Sequence, residues 1–113
     1  MKTTLLLLIV LLITFSCTRE KVTPIDQQCN STISFSNDVM PILEANCISC
    51  HQPGNTSGGY DLSSYSAIAA NANAIVGSMK ASSYLLMPLG GPALPDSTIQ
   101  KISCWIEQGK QDN

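Results

Sequence analysis

Nine consecutive apolar residues, Leu5 to Ile13, follow Met1-Lys2, and after them the apolar positions are spaced rather than continuous. A bilayer-spanning helix needs about twenty such residues, so this run is too short to be one. With its basic start and the small residue Ser16 ahead of Cys17, it reads as a secretory signal peptide over residues 1–16. Residues 18–30 are polar and show no period, so 17–32 form a tether. Beyond it, Val39, Ile42 and Leu43 fall at i, i+3 and i+4, which predicts a helix over about 36–47. Ser36 or Asn37 caps it, Asp38 suits its first turn, and Pro41 is tolerable only near a helix start.

Residues 53–59, rich in proline and glycine, read as a loop. Asp61 or Ser63 is the expected cap of a second helix through Tyr65, Ala67, Ile68 and Ala69. A third helical piece covers Ala74 to Met79, broken or kinked near Gly77. Residues 82–95 hold three prolines and two glycines and are expected to be irregular. The last helix is capped by Asp96 or Ser97, buries Ile99, Ile102, Trp105 and Ile106, and stops at Gly109. No segment alternates as a strand does. The expected class is therefore all-α, with three to four short helices in one domain over residues 33–113.

Without residues 1–16 the chain carries five basic residues against eight acidic ones, a net charge of −3. Nucleic-acid binding wants a basic patch, and none is present. A mildly acidic surface suits a basic partner protein instead.

The five cysteines separate by context. Thr14-Phe15-Ser16-Cys17 resembles the lipobox of bacterial lipoproteins, although Phe15 is bulky for its position; the resemblance implies lipid on Cys17 and a membrane anchor. Cys47 and Cys50 form a C-x-x-C pair. Cys29 and Cys104 remain, and two leftover cysteines in an exported chain are a candidate disulfide. On a helical wheel Cys104 falls well outside the arc of Ile99, Ile102, Trp105 and Ile106. It is expected on the outer face, where the segment carrying Cys29 can reach it.

Cys47-Ile48-Ser49-Cys50-His51 reads as C-x-x-C-H, the attachment motif of c-type haem. On a helix, positions i, i+3 and i+4 share a face, so both thiols and the imidazole point the same way. A thiol–disulfide redox pair is the first alternative, but it expects a βαβ context that the sequence lacks. Zinc is the second, and structural zinc takes four ligands, usually from two knuckles. His51 is the one histidine, so a sixth iron ligand must be something else. Methionine is the usual partner and raises the potential. Met87, in the Pro/Gly-rich loop, is the first candidate; Met79 and an open or water-filled position are the alternatives.

Phe35-Ser36-Asn37-Asp38-Val39-Met40-Pro41-Ile42-Leu43, then Asn46-Cys47-Ile48-Ser49-Cys50-His51, then Tyr60-Asp61-Leu62-Ser63-Ser64-Tyr65, then Met87-Pro88-Leu89-Gly90-Gly91, then Trp105-Ile106-Glu107-Gln108-Gly109 resemble, in this order, small bacterial mono-haem cytochrome c domains. The resemblance covers about residues 33–113. It implies a cytochrome c-like fold with crossing N- and C-terminal helices (about 36–47 and 97–108) around one covalent haem c. It also implies axial ligation by His51 and Met87. The expected function is a monomeric, non-enzymatic carrier of single electrons, anchored by Cys17 at a membrane facing the periplasm or cell exterior. Its partners would be redox proteins such as an oxidase, a dehydrogenase or another cytochrome. The competing class is a haem-based sensor in which a small ligand displaces Met87. Catalysis is not expected, because no second histidine is present to serve as a distal acid or base.

If Cys17 carries the anchor, Cys17→Ala releases the protein into the soluble fraction after cell fractionation. A wild-type protein already soluble there contradicts the lipoprotein reading.

Overall fold

The computed structural model describes residues 29–113. The expected signal peptide, the lipid site Cys17 and most of the tether lie outside the described residues. The chain becomes regular at Ser34, whose Oγ accepts a hydrogen bond from the Asn37 amide at 3.2 Å. The Ser34 amide in turn donates to Asp38 Oδ2 at 3.0 Å, so a helix start is closed from both sides. That bond, followed by the hydrogen bond from Lys101 at 3.0 Å, holds the half-buried Asp38 carboxyl below the usual carboxylate range.

The first turn, Phe35–Val39, is π-helical and leads into α1, Met40–Asn46. The wider turn is visible in the Val39 amide, which donates to Ser34 O five residues back at 3.2 Å. Pro41 lies in the first turn of α1, where a missing N–H costs nothing. The helix stops at Asn46 rather than running on through Cys47.

Helix α2 spans Tyr65–Met79 without interruption, which merges the expected second helix with the piece expected over Ala74 to Met79 and leaves no break at Gly77. Its cap is Ser64, accepting from the Ala67 amide at 3.3 Å. Asp61, expected in that role, instead accepts from the amide and hydroxyl of Ser63 at 2.9 and 2.6 Å, shaping the turn before the cap. Helix α3 spans Asp96–Glu107 with Pro95 at its start and no side-chain cap. It ends in a Schellman arrangement: the Gly109 amide reaches Ile106 O at 3.1 Å and the Lys110 amide reaches Trp105 O at 2.9 Å. Gly109 takes φ +94°, which glycine adopts without a Cβ penalty.

The all-α, cytochrome c-like expectation is corrected. Between α1 and α2 lies an antiparallel pair of two-residue strands, β1 (His51–Gln52) and β2 (Asn55–Thr56), with His51 opposite Thr56 and Gln52 opposite Asn55. Pro53-Gly54 makes the turn: proline sets φ, and Gly54 at φ +88° turns the chain back. What read as loop punctuation pairs the residues on either side of it. The molecule is three helices plus this small sheet. Among the described residues no three His, Cys, Asp or Glu side chains gather to hold a metal ion.

The core is where the first turn, α2 and α3 meet. Trp105, Leu43, Ile68, Ile102 and Val39 are its largest fully buried side chains. Phe35 lies edge-on to Tyr65 at 5.0 Å between centroids and 5.5 Å from Trp105, and Tyr65 meets Trp105 at 6.4 Å. Each such pair adds about 0.5–1.5 kcal/mol beyond burial. The polar ends of these rings are satisfied by the chain after α3: Trp105 Nε1 donates to Gln111 O at 2.9 Å and Tyr65 OH to Lys110 O at 2.6 Å. Asn113 Oδ1 then accepts from the Phe35 amide at 2.8 Å.

Cys29 and Cys104 are joined, with Sγ–Sγ 2.08 Å and Cα–Cα 5.3 Å across a separation of 75 residues. Cys104 is not on an outer face as the helical wheel suggests. It is buried in the same core as Trp105, because the incoming segment covers that side of α3. Gln108 helps hold the segment there, accepting from the Ile33 amide and donating to Ser31 O, both at 2.8 Å.

Closing a loop of that length removes about 4.5 kcal/mol of denatured-state entropy in the chain model. Replacing both cysteines by alanine is expected to lower stability to urea by about 2–5 kcal/mol. An unchanged midpoint contradicts the staple.

Candidate functional site

Two adjoining clefts share His51, Leu62 and Met87 on their walls. The first is closed by one face of α2, where Asn71, Ala74, Ile75 and Ser78 follow at helical spacing, together with Tyr60 and Tyr84. The second is lined by Cys47, Cys50, Pro88 and Leu89 among others. Both thiols, the imidazole and one thioether thus come to a single concavity. Met79 does not join them, since it is buried in the core. Met40 packs against that core as well. Of the methionines in the described residues, Met87 alone lines the clefts.

The C-x-x-C-H segment takes a turn rather than the helix that its spacing suggests. Cys47 leaves the helical region at φ −129°, ψ −47°. A single turn nevertheless survives, because the Cys50 and His51 amides both donate to Cys47 O at 3.1 Å. His51 is then fixed on its other side, its carbonyl accepting from the Leu62 amide at 2.8 Å. Five residues thereby turn three reactive side chains toward one cleft.

His51 Nδ1 is buried without a hydrogen-bond partner. Such an orphan costs about 1–3 kcal/mol unless a group from outside the chain satisfies it. The nearest ring is Tyr60, edge-on at 6.4 Å. Cys47 and Cys50 are both free thiols, the first half-buried and the second exposed. Burial, and secondarily the neighbouring Cys50, pushes the Cys47 thiol up to about 11. A C-x-x-C redox pair needs a lowered pKa at its attacking thiol, so Cys47 is not suited to be that nucleophile. A zinc site loses its donors, since no cluster of three His, Cys, Asp or Glu exists among the described residues.

The walls themselves are apolar. The four exposed large hydrophobic residues among those described are Tyr60, Tyr84, Leu85 and Leu89, and every one of them lines a cleft. Lining residues carry no Asp, Glu, Lys or Arg. An apolar concavity with a few converging polar groups is the ordinary form of a cofactor site. A haem fits that donor set: two thiols for attachment, one imidazole, one thioether, and apolar surface for a flat ring. Sequence reading missed the α2 wall; the spacing of Asn71, Ala74, Ile75 and Ser78 carried the signal, hidden by dividing this one helix into two pieces, through Ala69 and from Ala74.

With the thiols free, iodoacetamide at pH 8 is expected to label Cys50 well ahead of Cys47. Cys47 should catch up only as the pH approaches its pKa of about 11, as read by peptide mass spectrometry. Equal labelling at pH 8 contradicts the buried-thiol geometry. No protein-family model matches the chain, and no curated protein or solved structure matches it either.

Proposed function

We propose that this protein is an exported carrier of single electrons with one haem c attached through Cys47 and Cys50. His51 and Met87 are the residues that would hold its iron. What carries the reading is that these four side chains, and no other sulfur or imidazole groups of the described residues, line one apolar cleft. The haem, when bound, supplies the one-electron iron couple.

The chain's own part is attachment, orientation and exclusion of water. Cys47 and Cys50 would fix the ring to the short turn after α1. That turn is held by the bonds to Cys47 O and by the His51–Leu62 bond. A porphyrin would supply most of the iron's donors itself, leaving His51 and Met87 as the protein groups that would hold it. A cluster of three acidic, cysteine or histidine donors is not required for it. Leu62, Ile75 and Leu85 would keep the site at low polarity, which with thioether ligation favours a high potential.

The Cys29–Cys104 disulfide accords with an oxidising compartment. In this reading the protein works as a monomer held to a membrane by lipid on Cys17, facing the periplasm or cell exterior. It exchanges electrons with redox proteins rather than converting a substrate.

Met87→Ala is expected to keep the haem attached but to abolish the weak long-wavelength absorption band of a thioether–iron bond. It should also lower the reduction potential, measured by potentiometric titration. An unaltered spectrum and potential contradict ligation by Met87.

A further inference from the structure

Met87 belongs to a segment with no regular structure, so something outside that segment must hold it at the cleft. The bonds that tie the segment down converge on two residues in the last turn of α2. Ser82 donates to Gly77 O through its amide at 2.9 Å and its hydroxyl at 3.4 Å. The Ala81 amide reaches Ser78 O at 3.2 Å, and the Met87 amide reaches the same oxygen at 3.1 Å. Between these points Ala81 and Ser83 take φ +51° and +65°, a left-handed conformation that non-glycine residues hold only when their surroundings impose it.

Gly77 is the unusual member of this arrangement. It is buried inside a helix, and among non-proline residues glycine is the least favourable helix former. Its φ is not positive, so the backbone does not call for glycine. The reason is space. A Cβ at position 77 would stand 2.6 Å from Tyr84 Cδ2 and 2.8 Å from Cε2, with Ser82 O at 3.4 Å. The Tyr84 ring occupies the place where a side chain would be, and that ring is also a wall of the cleft.

We infer that Gly77 and Tyr84 form a seat that positions Met87 at the cleft. Tyr84 is a positioning residue and not a ligand. Its ring, laid on the bare backbone of Gly77, sets the path of residues 82–87 and so the reach of the thioether. The role of the seat in ligation rests on the proposed function; its role in holding the segment does not.

Gly77→Ala, Tyr84→Ala and the double variant test this in the full-length protein. Alanine favours the helix over glycine, so the global unfolding midpoint of Gly77→Ala should not fall. Its Met87 amide should exchange about tenfold faster with solvent, the usual scale of an overpacked methyl group. The thioether–iron band should weaken and the potential drop toward that of Met87→Ala. Tyr84→Ala should do the same, and adding Gly77→Ala to it should change nothing further, since the ring is already gone. Unchanged Met87 amide protection in both single variants overturns the seat. So does an effect of Gly77→Ala that persists in full without Tyr84. A wild-type protein lacking the thioether–iron band would overturn the ligation reading alone, while amide exchange would still decide whether the seat exists.

Discussion

Trp105 is wholly buried, and three stretches of chain far apart in sequence meet on it or beside it. Phe35 approaches from the first helical turn, Tyr65 from the start of α2, and the strand of residues after α3 folds back to take the polar atoms of both Tyr65 and Trp105. Without this meeting, little would position the irregular parts of the molecule. The segment from Cys47 to Leu62 contains only two two-residue strands and a single 3-10 turn at Ser57–Gly59, and residues 82–95 contain no helix or strand at all. Both segments form the cleft, and both derive their geometry from the helices at their ends. The aromatic contact therefore governs the site at a distance, by fixing the ends from which the loops depart.

A described domain of this size has a modest core, and much of its large apolar surface is spent on cleft walls rather than on that core. Tyr60, Tyr84, Leu85 and Leu89 stand exposed around His51 and Met87. A flat apolar cofactor laid across them would remove that surface from water at roughly 25 cal/mol per Å². Burial within the protein, and secondarily Cys50, also pushes the Cys47 thiol up to about 11. The Cys29–Cys104 disulfide adds a constraint at the far end of the chain, where the incoming segment lies over α3.

The sequence was informative wherever a pattern was local. Ile99, Ile102 and Trp105 marked the buried face of α3, and Gly109 marked its end. Patterns whose outcome depends on tertiary contact misled. Gly77 suggested a broken helix because glycine is a poor helix former, but the Tyr84 ring that needs its empty side comes from seven residues later. Pro53-Gly54 marked a loop correctly in type, yet the pairing of His51 with Thr56 makes it a hairpin and removes the all-α description. Cys104 fell outside the apolar arc of its helix and was nevertheless buried, since a helical wheel does not know that a second segment covers the other face. The candidate site residues Cys47, Cys50, His51 and Met87 could be picked out one by one. That they line one cleft, with a wall supplied by α2, is a property of the folded chain.

A haem bound through thioethers at Cys47 and Cys50, as proposed, would resist extraction from the exported protein. Its polypeptide is extracted with acidic acetone, which removes non-covalent haem, and the alkaline pyridine spectrum and intact mass are then recorded. One haem should be retained per chain, with neither Cys47 nor Cys50 open to alkylation. A haem-free polypeptide in which both thiols alkylate would contradict the proposal.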